Sequence, residues 1–339
     1  MTRPHWSAGG GAHCETTTLG VLLRHEGVEL SEPMLFGLGV GLSFVYWDGK
    51  GLDFPFLGGR AKPFAPTRTL AARLGLELDV RETGSARRAW QNVADGLAAG
   101  RPVGLQLDSY HLEYFTSKAH FGGHMVAMIG HDAHDAHLVD TAQQGGAVRT
   151  GLASLAAARA ERGPMTARNR SFTLARRGEL PELRTLLAPA MADCAEAFLH
   201  PPIANLGHRG IAKAAALVPG WLTRATDPGR QLPQAAEMME LAGTGGALFR
   251  NLYRDFLGEC AELLDDARVR AARDRYAEAA AGWTEVAALV AAAGESGDAA
   301  HLARAGALLA ELARIEREAM AELVQPPVQP RGRGFENAP

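Results

Sequence analysis

The sequence predicts an α+β protein with an all-helical C-terminal region. Three observations lead there. Helix and strand signals alternate through the first half, a pattern of α/β or α+β chains. A polar turn between two apolar runs near Asp132 reads as a β-hairpin. Beyond Pro181 strand signals nearly vanish. At 339 residues the chain suits two domains. The expected division is 1–178 for the mixed domain, 179–324 for the helical domain and 325–339 for a disordered tail.

The elements follow in order. After Gly9-Gly10-Gly11-Ala12-His13 comes Cys14, then Leu19, Val21, Leu22 and Leu23, with Arg24 and His25 ahead of Gly27. An apolar stripe with a cationic last turn and a glycine stop is a short helix, and Cys14 stands at its start. Met34 to Leu38 reads as a short helix and Leu42 to Trp47 as a strand rich in aromatic and β-branched residues. Glycines 37, 39 and 41 allow either tight turns or plain close packing. Helix at 67–76, strand at 76–81, helix at 86–99 closed by Gly100, and a buried strand at 103–108 come next. The hairpin pairs 124–129 with 137–139. A helix and a short strand, Ser171 to Leu174, precede a boundary. Helical patterns then run through 182–199, 207–218, 233–242, 246–265, 269–293 and 298–323, with no internal repeat.

Composition narrows the function classes. Net charge is −3 and 47% of residues are apolar, so a globular protein is expected and nothing electrostatic points to nucleic acid. The first six residues lack a signal-like apolar core, and no later stretch stays apolar for about 18 residues, so a cytoplasmic protein without membrane contact is expected. The three cysteines, Cys14, Cys194 and Cys260, are too widely spaced for a disulfide framework or a zinc motif.

Cys14 is the one cysteine whose surroundings suggest chemistry. Helix-start N–H groups and the helix dipole favour a thiolate there, although a small buried hydrophobe is the other reading. In a hairpin centred near Asp132, opposed residues have indices summing to about 264, which sets His124 across from Asp140. A centre one residue later makes them diagonal neighbours. Either way an imidazole gains a carboxylate to orient it. Cys14 as nucleophile, His124 as base and Asp140 as orienting acid follow the papain-like order. His131, Asp132, His134, Asp135 and His137 form a competing metal-ligand reading, set against a solvated turn. Arginines 159, 162, 168, 170, 176 and 177 read as an acid-docking patch or a solvated linker. Gly243-Thr244-Gly245-Gly246 reads as an anion loop or a helix corner.

Ala12-His13-Cys14-Glu15-Thr16-Thr17 with Arg24-His25, and Ser31-Glu32-Pro33-Met34-Leu35-Phe36-Gly37-Leu38-Gly39, resemble the N-terminal signature of the butirosin biosynthesis protein H family. His124 and Asp140 fit its later positions. Asn205-Leu206-Gly207 and the stretch from Gly243 to Arg250 are similar to its helical C-terminal region. The resemblance implies a papain-like fold used for synthesis. It further implies that an acyl or aminoacyl group moves from an acyl carrier protein thioester through Cys14 to an amine acceptor, forming an amide in specialised, antibiotic-type metabolism. No metal or other cofactor is implied beyond the phosphopantetheine arm of the carrier. Where papain-like peptidases carry a glutamine just before the nucleophile, this chain has Ser7 to His13. The Cys14 backbone N–H is expected as one oxyanion donor, with His13 or Gln106 as a second. Asp108, Tyr110 and Tyr114 are candidate contacts for a cationic amine. A thioesterase or peptidase using the same three residues, and a non-catalytic binding module, remain the alternatives. The sequence leaves the oligomeric state open, a homodimer included.

Overall fold

The structure, a computed structural model, describes residues 10–49 and 51–324; the expected tail, 325–339, lies outside them. The N-terminal part holds α1 (Cys14–His25), α2 (Glu32–Leu38), β1 (Leu42–Trp47), β2 (Phe56–Arg60), α3 (Ala65–Arg73), β3 (Glu77–Arg81), α4 (Ala86–Ala98), β4 (Val103–Leu107), β5 (His124–His131), β6 (Asp135–Val139), β7 (Ala147–Gly151), α5 (Leu152–Ala160) and β8 (Ser171–Ala175). The remainder is helical: α6 (Leu183–Leu199), α7 (Gly207–Leu217), α8 (Trp221–Arg224), α9 (Pro228–Glu240), α10 (Arg250–Leu264), α11 (Ala267–Ser296) and α12 (Ala299–Val324). The molecule is therefore an α+β protein with a helical C-terminal region. Among the described residues no helix is long and apolar enough to cross a membrane.

Six strands form one antiparallel sheet in the order β3-β8-β4-β5-β6-β7, and β1 pairs with β2 in a separate ribbon. Alternation assigns the two faces of the sheet. Leu105, Val126, Met128 and Leu138 pack with Val93 of α4 and Leu155 and Ala158 of α5. On the opposite face Ala127 and Val139 meet Val21 of α1. A continuous apolar cluster runs from Leu19 and Leu22 through α2 and β1 into α6, α10, α11 and α12. The helical region thus shares its core with the elements beside Cys14.

Local chemistry explains the helix ends nearest the site. At the end of α1, Gly27 takes φ +74° and its N–H donates to the Arg24 carbonyl at 3.1 Å, the glycine stop legible in the sequence. The Ser31 hydroxyl accepts from the Met34 N–H at 3.1 Å and caps α2. Three expectations need correction. The helix expected at 246–265 starts only at Arg250, because Ala247, Leu248 and Phe249 adopt φ of +50°, +49° and +74°. The helix expected from Pro233 starts at Pro228, with Pro233 inside it. Strands β2 and β7 were not expected. One contains adjacent glycines, and the other is a short edge strand with a single buried residue, Thr150.

Candidate active site

The site forms where the start of α1 meets the first residue of β5. Cys14 opens the helix, and the N–H groups of its first turn have no acceptor within the helix. Its sulfur lies close enough to the His124 ring to interact with it electrostatically. His124 Nε2 is paired with Asp140 Oδ2 at 2.8 Å, which leaves Nδ1 for the sulfur. Cys14 and His124 are each 6% exposed and Asp140 is fully buried, so their interactions act in a poorly solvated setting. Burial works against a charged His124, but the Asp140 carboxylate and the Cys14 sulfur outweigh it and hold its pKa up at about 10. Burial likewise opposes a charged Asp140; His124, the Thr141 N–H and the Tyr114 hydroxyl overcome it and keep the carboxyl below its ordinary value.

The hairpin reaches this geometry by a different register from the direct pairing. Ala127 pairs with Val139 and Met128 with Leu138, so opposed indices sum to 266, with an irregularity at Ile129 and a turn from Asp132 to Asp135. Extending that register sets Asp140 across from Val126, diagonal to His124 on the same face. A longer turn and a bulge moved the pairing by two residues without turning the carboxylate away.

Around the three residues lies a set of oriented polar groups. Tyr114 donates to Asp140 Oδ2 at 2.8 Å, and the Thr141 N–H donates to Oδ1 at 2.6 Å. Burial and the neighbouring carboxylate push the Tyr114 hydroxyl well up, so it stays a donor. Phe115 meets the His124 ring edge-on at 5.1 Å. The glycine-rich turn is tied to the same place: the Ala142 N–H donates to the Gly11 carbonyl at 2.9 Å. A Cβ on Gly10 would stand 2.0 Å from the Asp140 carbonyl oxygen, so only glycine permits this approach.

Two carboxylates missed in the sequence fix the helix start. Glu32 accepts from the Ala12 N–H at 2.9 Å, the His13 N–H at 2.8 Å and the Thr16 hydroxyl at 2.7 Å. Glu15, fully buried, accepts from Arg60 at 3.1 Å, from the Phe64 N–H at 3.3 Å, and from the Thr67 N–H at 3.0 Å and hydroxyl at 2.7 Å. Arg60 also reaches the Gly123 carbonyl at 3.4 Å, clamping the residue after Cys14 to the residue before His124. A charged Glu15 next to Cys14 within an apolar helix was the one local signal available.

The other candidates have distinct settings. His13 is buried between Phe36 and Phe249, with ring centroids at 6.0 and 5.2 Å, and neither ring nitrogen has a partner among the described residues. Burial, then Arg60 and His124, hold its pKa well below the ordinary value, so the ring is neutral. Gln106 Nε2 donates to the Gly122 and Met165 carbonyls at 3.2 and 2.7 Å, and its Oε1 accepts from Arg170 at 2.5 Å. Its amide is thus engaged in holding two loops together. Asp108 accepts from the Tyr110 and Phe121 N–H groups at 2.9 and 3.2 Å, while Tyr110 is partly exposed and stacks on His120 at 4.1 Å. Neither is hydrogen-bonded to Cys14, His124 or Asp140 among the described residues. Cys194 and Cys260 are buried, and burial raises both thiols.

The remaining motifs also resolve. Asp132 accepts from the His134 and Asp135 N–H groups at 2.9 Å and from His137 at 3.1 Å, organising the hairpin turn. Among the described residues no group of three His, Cys, Asp or Glu side chains is arranged to hold a metal ion. In the second glycine loop the Ala247 N–H donates to Glu240 at 3.2 Å, so the chain's own carboxylate takes the group an outside anion would use. That loop packs on the helix start, with Gly243 and Gly245 against Ala12.

Fold and site together define an α+β protein with a helical C-terminal region and a buried Cys–His–Asp arrangement. Residues 13–141 match the family described as butirosin biosynthesis protein H, N-terminal, and residues 153–323 match the domain of unknown function DUF4872. The chain belongs to the family of DUF4872, whose model spans half of it, and its N-terminal part is similar to the N-terminal region of butirosin biosynthesis protein H. No curated protein matches the chain at a significant level.

Proposed function

We propose that the chain is a cysteine acyltransferase of specialised metabolism. It takes an acyl or aminoacyl group from an acyl carrier protein thioester and gives it to a small-molecule amine. The observation that carries this reading is the contact between Cys14, at a helix N-terminus, and a His124 whose other nitrogen is held by Asp140. In the first half-reaction the Cys14 thiolate attacks the thioester carbonyl, and first-turn N–H groups of α1 face the developing oxyanion. The carbon–sulfur bond to the pantetheine arm breaks, and that sulfur leaves with the proton from His124. In the second the amine attacks the Cys14 thioester, His124 takes one amine proton, and the carbon–sulfur bond to Cys14 breaks. The product is an amide and the cysteine is restored. Thioester to thioester to amide runs downhill, so the reaction needs neither metal nor nucleotide.

On this reading residues 1–178 are a papain-like catalytic unit and 179–324 a helical unit packed against it, acting in the cytoplasm. Mass spectrometry of the intact protein after exposure to a panel of acyl thioesters tests the proposal. The expected result is a single adduct on Cys14 that disappears, as amide, when an amine is added. Acid as the main product with amine present would make the protein a thioesterase, and absence of any adduct would remove the covalent route.

A further inference from the structure

Three segments around the site are rich in cations and free of acids. Residues 60–68, 116–124 and 162–170 together contain seven Lys and Arg and no Asp or Glu, in a chain whose Asp and Glu, 38, outnumber its Lys and Arg, 35. Folding brings these segments together. Arg60 binds the Gly123 carbonyl, Gln106 joins the Gly122 and Met165 carbonyls, and a Cβ on Gly122 would lie 2.3 Å from Thr166. Arg170 and Arg68 both lie over the Phe64 ring, at 4.3 and 4.9 Å from its centroid.

The patch adjoins the reacting residues. Phe64 donates its N–H to Glu15, the neighbour of Cys14, and Gly123 precedes His124. Buried Glu15 balances Arg60 and Glu82 balances Arg170, whereas Lys62 and Arg68 are exposed and form no ion pair among the described residues. Within this rim Met165 is 44% exposed and holds φ +63°, a left-handed conformation fixed by the hydrogen bond from Gln106 to its carbonyl. An apolar knob inside a cationic rim suits an acidic protein surface with an apolar centre, the charges guiding approach and the knob supplying contact.

We propose that the segments 60–68, 116–124 and 162–170 form the docking face for an acidic carrier protein, which presents its phosphopantetheine arm, itself a phosphodiester, to Cys14. This rests on the acyltransfer reading above.

The test uses the full chain and one acyl group that labels Cys14, presented either on a holo acyl carrier protein or on uncharged N-acetylcysteamine. The double variant Lys62→Glu/Arg68→Glu should raise KM for the carrier-bound donor at least tenfold, with kcat and all parameters for the small donor unchanged. Added salt should raise the wild-type KM for the carrier alone. An unchanged carrier KM in the double variant, with the small donor still acylating Cys14, overturns the docking face and leaves acyl transfer standing. Failure of both donors to acylate wild-type Cys14 overturns acyl transfer, and the docking face with it. The small-donor rate serves as the control for folding.

Discussion

Two buried charged groupings, one at the end of the sheet and one within the helices, differ in how fully each charged group is partnered inside the protein. Arg250 and Glu316 are both fully buried, joined through Nε and Nη2 at 2.9 to 3.2 Å. Trp283 donates to the same carboxylate at 2.6 Å, and Arg250 Nη1 donates to the Leu248 carbonyl at 2.8 Å and the Ser43 carbonyl at 3.3 Å. Every strong group there has an internal partner. In the Cys14–His124–Asp140 grouping only the carboxylate end is saturated, by Tyr114, Thr141 and His124; the far end terminates in a sulfur. Saturation fixes structure, and an open end leaves something to react.

The two are joined through a strained segment. Left-handed backbone at three consecutive residues that are not glycine costs on the order of 1–3 kcal/mol each. Arg250 fixes the middle one, and Gly59 makes room for it, since a Cβ there would lie 2.2 Å from the Leu248 carbonyl oxygen. Phe249, the last of the three, packs on His13, the residue before Cys14. The helical region therefore helps hold the helix start that carries Cys14.

The largest expected contrast comes from deleting one member of each grouping. Cys14→Ala should abolish acylation while leaving urea stability near wild type, because a small, nearly buried side chain is replaced by another. Glu316→Gln should do the reverse, costing ~3–5 kcal/mol of stability by leaving a buried guanidinium uncompensated. Its acylation rate per folded molecule should stay within a few-fold of wild type. A Glu316→Gln protein of full stability would break the comparison.

Next in size is Asp140→Asn, which keeps the shape but loses the charge holding His124. A loss of roughly 10²- to 10⁴-fold in the rate of Cys14 acylation is expected, read from single-turnover mass spectrometry. The pH dependence sharpens this. Because folding raises the His124 pKa from 6.5 to about 10, the stabilisation it gives is complete below pH 6.5 and is lost as pH rises through 10. The urea stability of wild type relative to His124→Gln should therefore decline between those limits. Asp140→Asn should flatten that decline, and a flat profile in wild type would contradict a charged, paired His124.

How much of this was legible depended on how local each cause was. Helix α1 could be read because its stripe, cationic end and Gly27 all lie within 14 residues. His124 and Asp140 could be read because a hairpin brings near neighbours together; the bulge that changed their pairing has no signature in residue type. Glu15 and Glu32 could not be assigned partners, since Arg60 and Thr67 lie 45 and 52 residues from Glu15. Strand β2 was hidden by Gly58 and Gly59, which are there for close approach to Val45 and Leu248. Tyr114 was noticed for its chemistry and read as a contact for an amine; its hydroxyl is bonded instead to Asp140.

That bond supplies the smallest and most discriminating prediction. Tyr114→Phe removes one donor from Asp140 Oδ2 but leaves the Thr141 N–H on Oδ1 and His124 in place. A lost hydrogen bond to a charged acceptor is worth ~1.5–3 kcal/mol, and here the loss falls on the charged carboxylate. With less to stabilise the carboxylate, Asp140 should become easier to protonate, so the acid limb of the acylation pH profile should move to higher pH while the alkaline limb stays fixed. A residue that served only to bind the amine would behave otherwise. Its loss would raise KM for the acceptor and leave the first half-reaction, acylation of Cys14, unchanged at every pH.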